Sequence, residues 1–329
     1  MPKMRQIREF ATGPDDENRR LDRIVRRFLP DASLPAIYKA IRTGSIRVNG
    51  KKAAPATRIP ANGSLQIDVA LFETGRGTSR QEAEYSSGSD LGAEDVPILL
   101  ETQHLLFISK PHGVLTHGAN GLDMFVRARY PSSTSLAFVP APLHRLDRNT
   151  TGVVVCSRTI EGARVFSALL RDGGIHKRYI ALLEGELRGS GQWTDFIERD
   201  GGARRSRTIG PDEKEASRSG QYAETSYDAL ACAGGKTLAM LDLGTGRTHQ
   251  IRVQAASHGH PLAGDTKYGG KEQFLGYLLH AWTLGFDEPP FDDVPSVLVA
   301  PLPEKTLEAI GSQFGEDLVR RLAHPEGAI

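Results

Sequence analysis

The chain has 329 residues, of which 39% are hydrophobic and 25% are charged, and its formal net charge is +1. This composition is that of an ordinary globular protein, long enough for one large domain and one small one. Because the net charge is close to zero, nucleic-acid binding cannot be argued from the whole chain and must rest on a local concentration of charge.

The sequence gives no sign of export or of a membrane. No apolar run reaches the length of a membrane-spanning helix, and the first residues, MPKMRQIREF, lack the apolar core of a signal peptide. A cytoplasmic location is therefore expected. The two cysteines, Cys156 and Cys232, have no CxxC spacing and are expected to be reduced thiols in the core. The alternative is a single disulfide between them.

The N-terminal part begins with a polar stretch, residues 1–18, that is expected to be a poorly ordered tail. Apolar residues at helical spacing then predict a first helix; they are Leu21, Ile24, Val25, Phe28 and Leu29. A second short helix, with Ile37 and Ile41 inward, is expected to end at Gly44. Asn49-Gly50 predicts a hairpin, and alternation from Leu65 to Val69 predicts a returning strand.

Basic residues are concentrated in this N-terminal unit, residues 19–72. Between Arg19 and Arg58 there are eleven Lys or Arg residues and two acids, a local net charge of +9. A charge run is usually a solvated face, but a basic helix–helix–hairpin unit in a nearly neutral chain is typical of an RNA-binding module. Its predicted RNA contacts are Arg23, Arg26, Arg27, Lys39, Arg42, Arg47, Lys51 and Lys52.

Residues 73–95 are rich in Gly, Ser and Glu without apolar periodicity, and they predict a flexible acidic linker. The rest of the chain, residues 96–329, is predicted to form a larger domain. It opens with two short strands and a tight turn at Lys110-Pro111-His112-Gly113, where Lys110 is expected to be anchored near the functional cleft.

The most informative stretch is HRLDRNTTG at residues 144–152, followed by a β-branched run that predicts a buried strand. Asp147 lies between Arg145 and Arg148, and opposite charges favour an ionised carboxylate. Such a carboxylate can act as a nucleophile or as a base. The alternative is a structural aspartate in a surface ion-pair loop.

Downstream of this loop, the sequence predicts a helix, a strand and a loose hairpin. Val165, Phe166, Leu169 and Leu170 indicate the helix, which stops near Gly173, and HKRYIALLEG at residues 176–185 indicates the strand, which contains Tyr179. Residues 199–221, rich in Arg, Gly and Ser, predict an exposed loop or hairpin able to touch phosphates.

The stretch LDLGTGRTHQIR at residues 241–252 predicts a strand, a Gly-x-Gly turn and a helix that ends near His258. The glycines do not form a GxGxxG motif, so a mononucleotide site is not indicated. The nearby histidines His249, His258 and His260 lack HExxH spacing and cysteine partners, so no metal is expected.

Several of these strings resemble the motifs of the RluA-type pseudouridine synthases, which isomerise uridine in RNA without a cofactor. The similar strings are HRLDRNTTG, the strand around Tyr179, TGRTHQIR and the segment Leu279-His280-Ala281-Trp282. The N-terminal unit resembles the alpha-L RNA-binding domain that often precedes this catalytic domain. The resemblance covers residues 16–70 and 96–303, and it implies an α+β fold with a curved, largely antiparallel mixed sheet and a central cleft.

The same resemblance implies roles for individual residues. Asp147 initiates catalysis, by attack at C1′ or by removal of a C2′ proton, Tyr179 lies against the target base, and Arg247 pairs with Asp147. Arg145 enters the RNA as the base flips out, and His144 and Arg148 are further RNA contacts. No cofactor, metal, membrane or obligate protein partner is implied. Asn149 and Thr151 depart from the family pattern, where an acid and Ser are common.

An appended RNA-binding unit favours large-subunit ribosomal RNA as the substrate over transfer RNA, since it suits a large structured RNA. Two other function classes remain open. One is a non-catalytic RNA-binding or ribosome-assembly protein on the same scaffold. The other is a hydrolase with Asp147 as nucleophile, for which Asp265, in a turn, is the only candidate second carboxylate.

Overall fold

The computed structural model describes residues 6–29, 32–73, 95–130, 135–136, 138–200, 205–210, 220–273 and 276–323. The predicted linker lies almost wholly outside these ranges. The helices are α1 Leu21–Phe28, α2 Leu34–Thr43, α3 Ala70–Glu73, α4 Leu122–Arg129, α5 Ile160–Asp172, α6 Gln250–Ser257, α7 Glu304–Phe314 and α8 Glu316–Ala323. The strands are β1 Ile7–Ala11, β2 Ile46–Val48, β3 Lys51–Lys52, β4 Ser64–Asp68, β5 Ile98–Glu101, β6 Leu105–Lys110, β7 Ala141–Pro142, β8 Thr151–Ser157, β9 Ile175–Glu184, β10 Ser190–Asp200, β11 Arg205–Ile209, β12 Gln221–Ala233, β13 Lys236–Leu243, β14 Leu279–Phe286 and β15 Val297–Val299.

The N-terminal unit is a four-stranded sheet, in the order β1-β4-β2-β3, covered by α1 and α2. The predicted helices and hairpin are confirmed: Gly44 ends α2 with φ +79°, and Asn49-Gly50 joins β2 to β3. Left-handed backbone at Gly44 is the usual way for a helix to stop. The buried apolar stripes of α1 and α2 close one core with Ile46, Leu65 and Ile67.

The expectation of an unordered tail over residues 1–18 is wrong for residues 7–11. These residues form β1, which pairs antiparallel with β4 from Ile7 opposite Asp68 to Ala11 opposite Ser64. The strand carries Arg8 and Glu9 and lacks a clean alternation, so its local signal was weak. Its stability comes instead from the open edge of β4 and from Phe10 packing on the N-terminal core.

The second sheet has eleven strands along the path β11-β10-β12-β13-β9-β14-β8-β6-β5, with β15 on β14 and β7 on β8. The contact between β14 and β8 is parallel and the other pairings are antiparallel. The predicted α+β class with a largely antiparallel mixed sheet is therefore confirmed.

Strand β8 separates two layers of core because its side chains alternate between the faces of the sheet. Val154 packs on one face with α4 and α6, while Val153 and Val155 pack on the other face with Phe166 of α5. Further along the sheet, α7 and α8 cover Trp282 and its neighbours. Helices α4 and α6 thus cover one face of the sheet at β8, and α5 covers the opposite face.

Both cysteines are free. Cys156 is buried in β8, where burial raises the pKa of its thiol, but Cys232 is exposed on β12, so its assignment to the core is wrong. Among the described residues, no helix is long and apolar enough to cross a membrane.

Candidate active site

Asp147 lies in the loop between β7 and β8, and hydrogen bonds hold the loop on both sides of it. The Leu146 amide donates to Thr116 Oγ1 at 3.1 Å, and Thr116 Oγ1 donates to the Leu146 carbonyl at 3.0 Å. On the other side, Lys110 Nζ donates to the Arg148 carbonyl at 2.9 Å. The backbone of Asp147 is therefore fixed by the turn that follows β6.

Lys110 is fully buried and its ammonium also donates to the carbonyls of Pro111, at 3.0 Å, and Val114, at 2.8 Å. Three acceptors match the three hydrogens of an ammonium. Burial lowers the pKa of Lys110 to about 7, and the negative charge of Asp147 opposes that shift. Lys110 is thus anchored next to the cleft, as the sequence predicts, and it ties two loops together.

Gly152 allows the loop to enter β8 where it meets β14. Its φ of +106° favours glycine, and a Cβ here would lie 2.1 Å from the Ala281 carbonyl oxygen. No side chain fits this approach. The glycine therefore sets the distance between the Asp147 loop and the β14 strand.

Asp147 is paired with Arg252, in the first turn of α6. Arg252 Nη1 donates to Asp147 Oδ2 at 2.9 Å, while its Nε and Nη2 donate to the two oxygens of Asp265 at 2.6 and 2.8 Å. The exposed side-chain fractions are 9% for Arg252, 15% for Asp147 and 2% for Asp265. The Arg252 guanidinium thus makes one hydrogen bond to the Asp147 carboxylate and two to the Asp265 carboxylate.

The Arg252 guanidinium also lies between two aromatic rings, 4.7 Å from the Tyr277 centroid and 5.0 Å from the Tyr268 centroid. Its burial opposes the charged form, but hydrogen bonds to Asp265 and Asp147 and the neighbouring Tyr277 raise its pKa above the ordinary value. The cation is permanent and its orientation is fixed, so it stabilises and aims the carboxylate at the same time.

The prediction that Arg247 pairs with Asp147 is wrong. Arg247 is exposed and precedes α6, and its Nε donates to the Tyr222 carbonyl at 2.9 Å. Arg252, in the same TGRTHQIR string, lies in the first turn of α6 and faces the loop instead. The turn before the helix directs Arg247 toward β12, although its side chain still lines the cavity at Asp147.

A buried glutamine fixes the start of α6. Gln250 Oε1 accepts from the Arg247 amide at 2.9 Å and from Thr245 Oγ1 at 2.7 Å, while Nε2 donates to the Glu224 carbonyl at 2.8 Å. All of these bonds tie the helix start to β12 and the turn after β13. Arg252 therefore has a fixed helix from which to reach Asp147.

A small cavity of about 70 Å³ opens at the Asp147 carboxylate. Tyr179 of β9 forms part of its wall, as do Leu243 and Leu279, which supply apolar surface. Tyr179 is buried, and burial followed by the charge of Asp147 raises the pKa of its phenol above the ordinary value. The ring therefore stays neutral and presents a rigid surface beside the carboxylate.

His249 also lines the cavity. Its backbone has φ +58°, a left-handed value uncommon outside glycine, Asn and Asp. This conformation places Nδ1 at 2.7 Å from Tyr268 Oη and Nε2 at 3.6 Å from Asp147 Oδ1. Burial lowers the pKa of His249, against the charge of Asp147, so the ring is neutral at pH 7.

The predicted RNA contact at His144 needs correction. The Val155 amide donates to His144 Nε2 at 3.0 Å, and the ring stacks on Phe166, on the α5 face of the sheet. Burial lowers the pKa of His144 to about 3, so it is neutral and bound within the protein. It supports the start of the loop instead of facing RNA.

The other predicted RNA-contact residues lie at the surface or at the rim of the cavity. Arg145 is exposed and lines the cavity, and Arg148 is exposed with its Nε donating to the Gly113 carbonyl at 2.9 Å. The predicted contacts in the N-terminal unit are exposed except Arg47, which is partly buried. Of the exposed loop or hairpin predicted over residues 199–221, the end of β10 and β11 pair antiparallel, while residues 201–204 and 211–219 lie outside the described residues.

Several residues that shape the site were not identified from the sequence: Thr116, Arg252, Tyr268 and Tyr277. Asp265 had been assigned to a turn as a weak second carboxylate, and it does precede a short 3₁₀ turn. Its carboxylate, however, is paired with Arg252 and does not face the cavity as a second catalytic acid. The available signal was that TGRTHQIR contains two arginines, only one of which falls inside the helix.

Comparisons with known proteins agree with this geometry. A family model described as RNA pseudouridylate synthase matches residues 104–257. The protein named ribosomal large subunit pseudouridine synthase C from Escherichia coli O6:H1 is 30% identical, with 91% of this chain and 94% of that protein covered. The protein of the same name from Vibrio vulnificus is 28% identical over the same shares of the two chains.

Two solved human structures share the fold. RNA Pseudouridylate Synthase Domain Containing 1 has a TM-score of 0.55 at 23% identity, covering 71% of this chain and 97% of that chain. RNA Pseudouridylate Synthase Domain Containing 4 has a TM-score of 0.52 at 24% identity, covering 65% and 91%. With a relative 30% identical over nearly its whole length, the chain belongs to the RluA-type pseudouridine synthases, isomerases that convert uridine to pseudouridine in RNA.

Proposed function

We propose that this enzyme modifies uridine in large-subunit ribosomal RNA and that Asp147 is its catalytic residue. The observation that carries the assignment is the Asp147 carboxylate, 15% exposed at a cavity, held by an arginine that Asp265 and two tyrosine rings immobilise. A carboxylate that is charged, aimed and partly withdrawn from water can act on a substrate at the cavity.

The reaction exchanges one bond for another within the nucleotide. The bond from C1′ to N1 breaks, the uracil turns, and C1′ bonds to C5; N1 gains a proton and C5 loses one. Asp147 starts this sequence by attack at C1′ or by removal of a C2′ proton, and both routes need an ionised carboxylate. Arg252 fixes the position of that carboxylate and places a permanent positive charge beside it.

Tyr179 supports the base. Its buried, neutral ring adjoins the cavity that Asp147 lines, and apolar side chains of Leu243 and Leu279 complete that wall. A uridine must leave its stack to reach such a cavity, and a flat apolar wall replaces part of the lost stacking. Arg145 is exposed at the rim of the cavity, and its side chain fills the space that the flipped nucleotide leaves in the RNA.

The N-terminal unit supplies affinity for the RNA. Its exposed basic residues on α1, α2 and the β2–β3 hairpin form a positively charged surface that binds RNA phosphates. The affinity of this surface for RNA falls as the salt concentration rises. The division into an RNA-binding unit over residues 7–72 and a catalytic domain from residue 96 is part of this proposal.

Large-subunit ribosomal RNA is favoured over transfer RNA as the substrate. Two relatives, each covered over 94% of its length, are named ribosomal large subunit pseudouridine synthase C. In addition, an RNA-binding unit joined to the catalytic domain suits a large structured RNA. The cytoplasmic location that the sequence predicts fits assembling ribosomes and stays a prediction.

The test is tritium release from RNA labelled at C5 of uridine, because bonding of C1′ to C5 displaces that hydrogen. Wild type, Asp147→Asn and Asp147→Ala are compared on unmodified transcripts of large-subunit ribosomal RNA and of transfer RNA. The control is Asp317→Asn, which removes a 95% exposed carboxylate on α8. We expect release by wild type and the control on ribosomal RNA, and none by either Asp147 variant.

Two results would contradict parts of the proposal. Release by Asp147→Asn at the wild-type rate would remove Asp147 from the chemistry. Release from transfer RNA alone would keep the catalytic assignment and replace the substrate.

A further inference from the structure

A second, much larger cavity lies between the N-terminal unit and helix α5. Its volume is about 1210 Å³, and arginines dominate its polar lining. Those from the N-terminal unit are Arg19, Arg20, Arg23, Arg27 and Arg58, and α5 contributes Arg164. We call this cavity the arginine groove.

Beside the groove, a buried carboxylate joins the N-terminal unit to the larger domain. Asp16 is fully buried and accepts from Ser135 Oγ at 2.9 Å, from the Leu136 amide at 2.8 Å and from the Gly13 amide at 2.9 Å. Arg27 Nη1 adds a bond to the Leu136 carbonyl at 3.0 Å. A buried charge bonded in this way holds the N-terminal unit to the larger domain, because breaking the contact would leave it unsatisfied.

The charge of the groove is positive, and part of it is available to a ligand. Six arginines line it together with three acids, Asp15, Glu17 and Glu161. Arg20 is paired with Asp22, and Arg58 donates to the Asn18 carbonyl. Arg23 and Arg164 are both exposed and have no ion-pair partner among the residues that the structure describes.

The positive lining continues along α5. A second hollow of about 610 Å³ shares Arg19 and Arg164 with the groove and adds Arg171, and no acid is among its described lining residues. The arginines therefore form a track from α1 along one side of α5. An extended polyanion matches a track better than a compact anion does, and guanidinium forks bind phosphate oxygens in pairs.

The groove lies on the opposite face of the sheet from the active site. Helix α5 packs through Phe166 on Val153 and Val155, whereas Leu146 and Tyr179 belong to the core on the other face. Strand β5 is the edge of the sheet on this side. Strand β8 has seven residues and is therefore about 20 Å long.

We propose that the arginine groove binds the phosphate backbone of the substrate RNA at a point remote from the modified uridine, so that the RNA passes around the β5 edge and contacts both faces. This inference rests on the proposed function, which supplies the RNA. It adds Arg19, and Arg164 and Arg171 of the catalytic domain, to an RNA-binding surface that already includes Arg23.

The first test measures RNA affinity against salt concentration. The double variant Arg23→Gln/Arg164→Gln is compared with Arg320→Gln/Arg321→Gln, which removes the same charge from exposed positions on α8. The probe is an unmodified transcript of the ribosomal RNA region that releases tritium, or of full large-subunit RNA. We expect the slope of log K against log salt to fall by about 0.7 to 0.9 per lost contact in the groove variant alone.

The second test locates the RNA. An iron–EDTA probe is attached to the thiol that Arg164→Cys introduces, in a Cys232→Ser background, since Cys232 is the exposed native thiol and Cys156 is buried. We expect backbone cleavage at nucleotides separate from those around the target uridine. Equal salt slopes for the two double variants, absence of cleavage, or cleavage only beside the target uridine would each overturn the inference.

The salt-slope readout does not need the isomerisation, so the failures of the two proposals can be told apart. If wild type releases tritium and the groove variant binds like its control, the groove is rejected and the function stands. If wild type releases none while the groove variant alone loses RNA affinity, the function is rejected and the groove remains an RNA-binding surface without an assigned substrate.

Discussion

Arginines lie both beside the Asp147 loop and on the N-terminal unit, but their surroundings differ. Arg252 is 9% exposed and bonded to two carboxylates, whereas Arg23 and Arg26 are exposed on the outer side of α1. A buried, bonded cation acts through position, and its loss leaves other charges unsatisfied. An exposed cation acts through a field that salt screens.

Mutations of these two kinds of cation should therefore have effects of different size and kind. Changes among the buried charges should alter the rate of the chemical step and the stability of the fold. Changes among the exposed charges should alter RNA affinity in small, nearly additive amounts, because each contributes one counterion-releasing contact.

The largest effect is expected for Arg252. Arg252→Gln leaves Asp265 buried without its partner, which we expect to cost about 3 to 5 kcal/mol of folding free energy. Arg252→Lys keeps a charge but cannot reach both carboxylates, and its single-turnover rate should fall by about 10² to 10³. Urea denaturation and tritium release at saturating RNA measure the two losses.

Arg247 is the matched comparison, since it belongs to the same string and lines the same cavity. Arg247→Gln should lower the rate by less than about tenfold, because its exposed guanidinium donates to a carbonyl and not to Asp147. A loss in Arg247→Gln equal to that in Arg252→Lys would mean that the ion pair in the structure is not the one that matters for catalysis.

These two arginines also show what the sequence could and could not predict. The string TGRTHQIR located the right segment, and the helix after it was predicted correctly. The choice between Arg247 and Arg252 depends on where the helix begins and on Gln250, which ties the helix start to β12. That tie is a tertiary contact, and no local spacing encodes it.

The same limit explains the other corrections. β1 depends on an open strand edge supplied more than fifty residues later, and His144 turns inward because Phe166 and the Val155 amide receive its ring. By contrast, α1, α2, the hairpin at Asn49-Gly50 and β9 carry periodicity or turn residues that act locally. Elements with local signals were predictable, and side-chain directions set by distant partners were not.

The next effect is expected for Lys110, which joins the two loops beside Asp147. Lys110→Met removes the donor of hydrogen bonds to three carbonyls; these bonds are partly buried, and the loss of each is expected to cost about 0.5 to 1.5 kcal/mol. The control is Lys305→Met, at an exposed position on α7. Unchanged denaturation midpoints in Lys110→Met would mean that the two loops are held by other contacts.

Lys110 also gives a pH dependence of stability. Burial lowers its pKa from 10.5 to about 7, so the unfolded chain binds more protons than the folded protein between these values. The free energy of unfolding of wild type should therefore rise relative to Lys110→Met by about 2 kcal/mol from pH 7 to pH 9. A difference between the two proteins that stays constant across this range would show that the lysine does not titrate there.

A smaller effect is expected for His249. Burial lowers its pKa below 6.5, so the ring becomes charged only in acid, where an imidazolium 3.6 Å from Asp147 would compete for the carboxylate. We expect the single-turnover rate to fall as the pH drops below 6.5. His249→Asn keeps the left-handed backbone that Asn tolerates, and its single-turnover rate should not show this fall in acid. The same fall in both proteins would mean that a group other than His249 causes it.

The smallest effect is expected for the exposed charges of α2. Lys39→Gln/Arg42→Gln removes two outward cations, and the slope of log K against log salt for RNA binding should fall by about 0.7 to 0.9 per charge. Lys305→Gln, on α7, should leave the slope as in wild type. If the α2 variant kept the full slope, α2 would not contact phosphates, and the RNA-binding surface of the N-terminal unit would be confined to α1, the β2–β3 hairpin and the arginine groove.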